Sequence, residues 1–168
     1  MGLIAQLVQH KDALTQSWFE RVANTYPPET ARFLASQKDP FANPVGQTTH
    51  RSLTILVDLL GTELDHEAAR NALDPIIRVR AIQSFTASQA TGFIFDLKQV
   101  IRKKCAVKPA DADDMARIDG RIDQLALIAF DLYMQCREKI YDLKANETKQ
   151  RTYKAFAKAG LIKEPEDD

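Results

Sequence analysis

Arg117-Ile-Asp-Gly-Arg-Ile-Asp-Gln-Leu-Ala-Leu-Ile-Ala-Phe-Asp-Leu-Tyr-Met-Gln-Cys-Arg-Glu-Lys-Ile-Tyr-Asp-Leu-Lys144 organises this chain. Apolar residues fall at 118, 122, 125, 129, 132, 136, 140 and 143. Steps of three and four residues trace one face of an α-helix. No proline occurs from Met115 to Lys158, and within that run only Gly120 weakens a helix. The rest of the chain reads as shorter helices laid against this one.

Working outward, residues 3–24 carry Leu3, Leu7, Leu14, Trp18 and Val22 at helical spacing, and Pro27-Pro28 stops the pattern. Pro28 suits the first position of a short helix whose apolar face is Phe33 and Leu34. Asn43-Pro44 is an N-cap followed by a first-turn proline. It opens a helix over 44–60 with Val45, Leu53, Leu56, Val57 and Leu60 inward and Gly61 just past its end. Asp65 restarts a helix, and Asp74-Pro75 predicts a break or kink before 76–83. Thr86-Ala-Ser-Gln89 is a capping box. Gly92-Phe-Ile-Phe-Asp-Leu97 alternates like a strand, but Phe93, Leu97 and Val100 also fit a helix, and a helix start precedes them. Lys98, Arg102, Lys103, Lys104 and Lys108 then gather at a helix C-terminus, where cations complement the dipole. Asp111, Asp113 and Asp114 do the converse at the start of the long helix. The fold class is all-α, a single-domain helical bundle with a long C-terminal helix.

Length constrains that helix. An unbroken helix over 111–159 would be roughly 70 Å long at 1.5 Å per residue. A compact domain of this size is near 40 Å across. Either Gly120 breaks the helix or its end projects. The apolar stripe stops at Leu143, and Asn146-Glu-Thr-Lys-Gln-Arg-Thr152 is polar all round. We therefore expect a core over 1–143, a projecting helix end over 144–160 and a disordered tail over 161–168. Ile140, Leu143, Tyr153 and Phe156 are the expected contacts of a partner helix, most simply in a homodimer.

The chain is 45% apolar, enough for a sizeable core, and its 23 basic residues balance 23 acidic ones. A net charge of zero removes the usual electrostatic case for nucleic-acid binding. No window is apolar enough for a membrane span, and the N-terminus lacks a basic leader and a cleavage site. With only two scattered cysteines, Cys105 and Cys136, the chain reads as cytoplasmic, with both thiols as small core residues. No P-loop, GxGxxG, GxSxG or HExxH occurs, so the chain is read as a non-enzyme. His10, His50 and His66 lie far apart, and no metal or cofactor is expected.

Two alternatives remain open. His50 lies in a helix of apolar character, so a haem-binding or other ligand-binding globin-like sensor is one. A small enzyme with a buried Arg/Asp/Tyr site is the other. Phe93, Phe130 and Tyr133 read as core aromatics. Asp119 and Asp123 share a helix face with Arg117 and Arg121 beside them, which suggests intrahelical ion pairs. Arg80 interrupts an apolar helix, and a buried guanidinium needs a partner. A structural pair with Asp131 is the first expectation. A ligand pocket from Asn43, Arg80, Gln83 and Tyr133 is the second.

Several short motifs, in order, resemble one family. They are Asn43-Pro-Val-Gly46, Arg80-Ala-Ile-Gln83, Ser88-Gln-Ala with Leu97-Lys98, Arg121-Ile-Asp, Ala129-Phe-Asp-Leu-Tyr133, Cys136-Arg-Glu138 and Asn146-Glu147. Together they resemble the RsbRD-type N-terminal domain, the sensor module of RsbT co-antagonist proteins, over about residues 5–150. The resemblance implies an all-helical input domain of bacterial signalling proteins. It also implies a haemless globin-like fold, a dimer, and a last helix that leads into a STAS output domain in the stressosome. No STAS domain follows in this sequence, so a free-standing sensor or accessory protein acting by binding is expected.

Overall fold

A computed structural model describes residues 1–162. The expectation of a disordered tail over 161–168 thus falls mostly on residues 163–168, outside the described part. The elements run α1 (Leu3–Gln9), α2 (Lys11–Ala23), α3 (Pro28–Ser36), α4 (Pro44–Leu59), α5 (His66–Ile82), α6 (Ala87–Thr91) and α7 (Phe93–Lys104). A 3-10 turn (Pro109–Asp111) then leads into α8 (Ala112–Lys158). There is no strand among the described residues, and 92–97 is helical.

The predicted caps set these boundaries. The Asn43 side chain accepts the Gly46 N–H at 2.9 Å, and Asp65 accepts that of Ala68 at 3.0 Å. Thr86 and Gln89 form the reciprocal capping box. At the far end of α8, Gly160 adopts φ 72°, the left-handed turn that a glycine takes without a Cβ penalty. The N–H of Leu161 then bonds the Phe156 carbonyl at 3.0 Å and that of Gly160 bonds Ala157 at 3.0 Å, closing the helix.

Two expectations are corrected and one alternative is decided. Residues 3–24 form two helices, because the backbone turns at His10 (φ −100°, ψ 13°) and sends Leu3 and Leu7 into the same core as Leu14 and Trp18. Helix α5 runs through Pro75 without a break. Buried Leu73, Ile76 and Ile77 hold it on both sides of the proline, and packing offsets the lost backbone bond. Helix α8 continues through Gly120, so the length mismatch is resolved by projection.

Helix α5 lies along α8, α4 packs on α5, and α2 bridges α4 and α7. On α8 the buried residues run from Met115 to Tyr133 and then stop. Cys136 and Ile140 are half-buried, and Leu143 is 62% exposed. Burial therefore thins along this stretch, with Cys136 the last α8 residue packed against the core. The expected intrahelical ion pairs are also replaced. Asp119 pairs with Arg102 and Asp123 with Lys98, which fastens α7 to α8. Arg117 pairs with Asp114, and Arg121 donates to the Leu60 carbonyl at 2.6 Å.

Candidate functional site

Arg80 is 1% exposed, and its bonds do not go to Asp131, which is exposed. Its Nε–H donates to the Ala90 carbonyl at 3.0 Å, Nη2 to the Gln89 carbonyl at 2.7 Å and Nη1 to the Thr25 hydroxyl at 3.0 Å. These carbonyls end the short helix α6, where backbone acceptors lack helical partners and a cation is favoured. The guanidinium carbon also lies 4.3 Å from the ring centre of Phe85, 5.2 Å from Phe93 and 5.5 Å from Tyr26. Burial pushes the Arg80 pKa down, and the neighbouring Tyr26 hydroxyl opposes this. The expected Arg80–Asp131 pair is thus replaced by helix-end carbonyls, a hydroxyl and aromatic faces. All of these come from segments close to Arg80 in space, and Asp131 faces away.

The proposed quartet Asn43, Arg80, Gln83 and Tyr133 does not form one pocket. Asn43 is a structural clamp: its Nδ2 donates to the Leu34 carbonyl at 2.9 Å and the Gln37 carbonyl at 3.0 Å while Oδ1 caps α4. A Cβ on Gly46 would lie 2.3 Å from that amide, so the Asn43-Pro-Val-Gly46 motif encodes one device. The Tyr133 hydroxyl donates to the Phe85 carbonyl at 3.1 Å, which ties α8 to the α5–α6 turn.

Gln83 does line a cavity. A cleft of about 350 Å³ is bounded by Thr25, Tyr26, Pro27, Thr30, Gln83, Ser84 and Phe85. A smaller one of about 200 Å³ shares Tyr26, Thr30 and Gln83 and reaches Asn43, Pro44 and Val45. The Gln83 Oε1 atom is buried and has no hydrogen-bond partner among the described residues. Tyr26 and Phe85 meet edge to face at 5.3 Å in the wall of the larger cleft.

A second feature escaped the sequence reading. Phe93 and Tyr133 are core residues as expected, but Phe130 is 46% exposed. It lies in a row with exposed Leu127, Met134 and Tyr141 on the side of α8 away from the core. Their spacing of three, four and seven residues is that of a coiled-coil seam. The same row begins with Asp119 and Asp123, which α7 occupies through Arg102 and Lys98. Beyond Asp123 its four apolar residues are 38–67% exposed, and Arg137 lies over the Tyr141 ring and donates to its hydroxyl. Of the residues expected to meet a partner helix, Ile140 and Leu143 continue the core-facing stripe, and Phe156 lies near the outer row. Leu143, Tyr153 and Phe156 are all exposed.

His50 stands edge-on to Phe19 at 5.4 Å. Burial, with a lesser contribution from Lys38, pushes its pKa down. Cys105 is buried, and burial pushes its thiol pKa up. Cys136 is half-buried. No group of three His, Cys, Asp or Glu side chains among the described residues could hold a metal ion, and no described helix is long and apolar enough to cross a membrane.

No curated protein and no solved structure matches the chain closely enough to add to this picture. The family model for the RsbT co-antagonist protein rsbRD N-terminal domain matches residues 12–148, from the start of α2 to far along α8. That span includes the Asn43–Gly46 clamp, the Arg80 capping site, the cleft and the whole outer row of α8. The chain belongs to the RsbT co-antagonist protein rsbRD N-terminal domain family.

Proposed function

We propose that this chain is a non-catalytic, cytoplasmic sensory and regulatory module that acts through α8. It pairs with a second copy along the row Leu127, Phe130, Met134 and Tyr141. It presents the projecting end of α8, including Ile140 and Leu143, to a signalling partner. In a relative with a fused output domain, that end of the helix is where the output domain would attach. The observation that carries this reading is the unburied length of α8. Its last fully buried residue is Tyr133; Cys136 still packs on the core and Arg137 still reaches the Ala81 carbonyl, but residues 141–158, about 27 Å of helix at 1.5 Å per residue, are almost all exposed. A helix apolar on its outer side requires a neighbour to shield that side.

Sedimentation equilibrium tests the dimer. The wild-type chain is expected at twice the monomer mass, and Met134→Glu is expected at the monomer mass with unchanged helical circular dichroism. A monomeric wild type at high micromolar concentration would refute pairing along α8.

A further inference from the structure

We propose that the cleft between Tyr26 and Phe85 binds a small, neutral aromatic molecule carrying one N–H or O–H, which supplies the hydrogen bond that Gln83 Oε1 lacks. Three observations fix the class of ligand. First, Gln83 lines both clefts, together with Tyr26 and Thr30. A buried acceptor without a donor disfavours the empty state, and a ligand donor would recover that loss. Because Gln83 lines both clefts, a ligand seated in either stands beside this side chain. Second, the walls are apolar and aromatic. Tyr26 and Phe85 stand edge to face, an arrangement that accepts a third ring. A volume of about 350 Å³ fits a molecule of one or two rings.

Third, the site favours a neutral guest. No acidic or basic side chain lines the larger cleft. The nearby cation, Arg80, is buried and already bonded to two carbonyls and the Thr25 hydroxyl, so it is closed to an anion. Its charge also disfavours a cationic guest. This site goes beyond the sensory reading. It is connected to α8 through the Phe85 carbonyl and the Tyr133 hydroxyl, but binding itself does not depend on dimerisation.

The test is an amide chemical-shift titration of the full chain with four probes: indole, 3-methylindole, 1-methylindole and benzoate. Indole is expected to give saturable shifts confined to the amides of residues 25, 26, 29 and 30 and of 83–86. 3-Methylindole keeps the N–H and should bind comparably. 1-Methylindole carries the same extra methyl without the N–H, and should bind about tenfold more weakly, the worth of one hydrogen bond. Benzoate should not compete. Gln83→Leu should bring indole and 1-methylindole to the same affinity, and Thr30→Phe, which fills the cleft, should abolish both. No saturable indole shift at these residues would overturn the site. Equal weakening by the two methylindoles in the wild type would overturn the hydrogen bond to Gln83. Benzoate binding more tightly than indole would overturn the neutral class. The titration reads the same in a monomer or a dimer, so its failure is separate from failure of the proposed pairing.

Discussion

Replacement of Arg80 by methionine is the sharpest perturbation of the fold. Methionine keeps a flexible apolar stem of similar length and removes the guanidinium. The structure sets the size of the effect through what is left behind. The Ala90 and Gln89 carbonyls lose their donors at 3.0 and 2.7 Å, and the Thr25 hydroxyl loses its bond at 3.0 Å. A buried acceptor stripped of its donor costs about 1–3 kcal/mol, and the Gln89 bond is only partly buried. Against this stands the desolvation penalty of a buried guanidinium without a carboxylate partner, which methionine relieves. We expect a net loss of about 2–4 kcal/mol, a large part of the 5–15 kcal/mol that holds a typical domain together. Arg80→Lys should also destabilise, because one ammonium cannot reach three divergent acceptors.

Urea unfolding followed by tryptophan fluorescence measures this. The only tryptophan, Trp18, is buried 6.1 Å from Phe93, the ring that Arg80 also faces, and its Nε1–H donates to the Phe93 carbonyl at 2.8 Å. Asp131→Asn serves as the control. If Arg80 were held by an ion pair, removing the acid would strand a buried charge and cost about 3–5 kcal/mol. With Asp131 on the surface, the change should stay within about 0.5 kcal/mol. A loss below about 1 kcal/mol for Arg80→Met, or a matching loss for Asp131→Asn, would refute the helix-end role.

Other sites give smaller and equally directed effects. Gly46→Ala places a Cβ 2.3 Å from the Asn43 side chain, so it should lose about 1–2 kcal/mol in the same unfolding assay. The double variant with Asn43→Ala should lose little more than Asn43→Ala alone, because both disrupt one device. Thr15 is fully buried with an unpartnered hydroxyl, so Thr15→Val should raise stability by about 1 kcal/mol and raise Tm in calorimetry. For His50, a lowered folded pKa means that the unfolded chain takes up the proton first as pH falls. Its contribution should be level above about pH 6.5, decline as pH drops from there through the folded value, and be absent from the pH profile of His50→Gln.

Much of the fold was legible because local chemistry and burial agreed. Asn43, Asp65, Thr86 and Gly160 mark helix ends through their own backbone bonds, and such signals survive without knowledge of the tertiary structure. Pro75 misled because its cost is local while its compensation, the burial of Leu73, Ile76 and Ile77, is not. The candidate site was legible only in part. Gln83 was singled out and does line a cleft with its near neighbour Phe85, but the opposite wall, Tyr26 and Thr30, comes from a stretch more than fifty residues earlier. Arg80 was correctly seen as a charge in need of partners. Its partners proved to be main-chain carbonyls, and no side-chain type reveals those. Between α6 and α7 a Cβ at Gly92 would meet the Ser88 carbonyl at 2.6 Å, so that close approach requires glycine.

The outer row of α8 shows why a strong periodic signal can hide a second one. The stripe from Ile118 to Leu143 accounts for the helix so well that Leu127, Phe130 and Met134 pass as ordinary variation. Spatial context separates the two faces. Lys98 and Arg102 read in sequence as charges suited to the end of α7, and in the structure they reach across to Asp123 and Asp119. Ion pairs this exposed contribute little stability. Their consequence is positional, because they lay α7 along the first turns of the row, and from Leu127 onward the row is partly exposed. The apolar seam therefore starts where the helical cover stops. Charge reversal at Lys98 should loosen α7 and leave pairing along α8 intact, whereas a charge at Met134 should abolish pairing and leave the core intact. Measuring mass and unfolding on both variants separates these roles, and a loss of pairing from the Lys98 change alone would mean that α7, rather than the outer row, carries the contact.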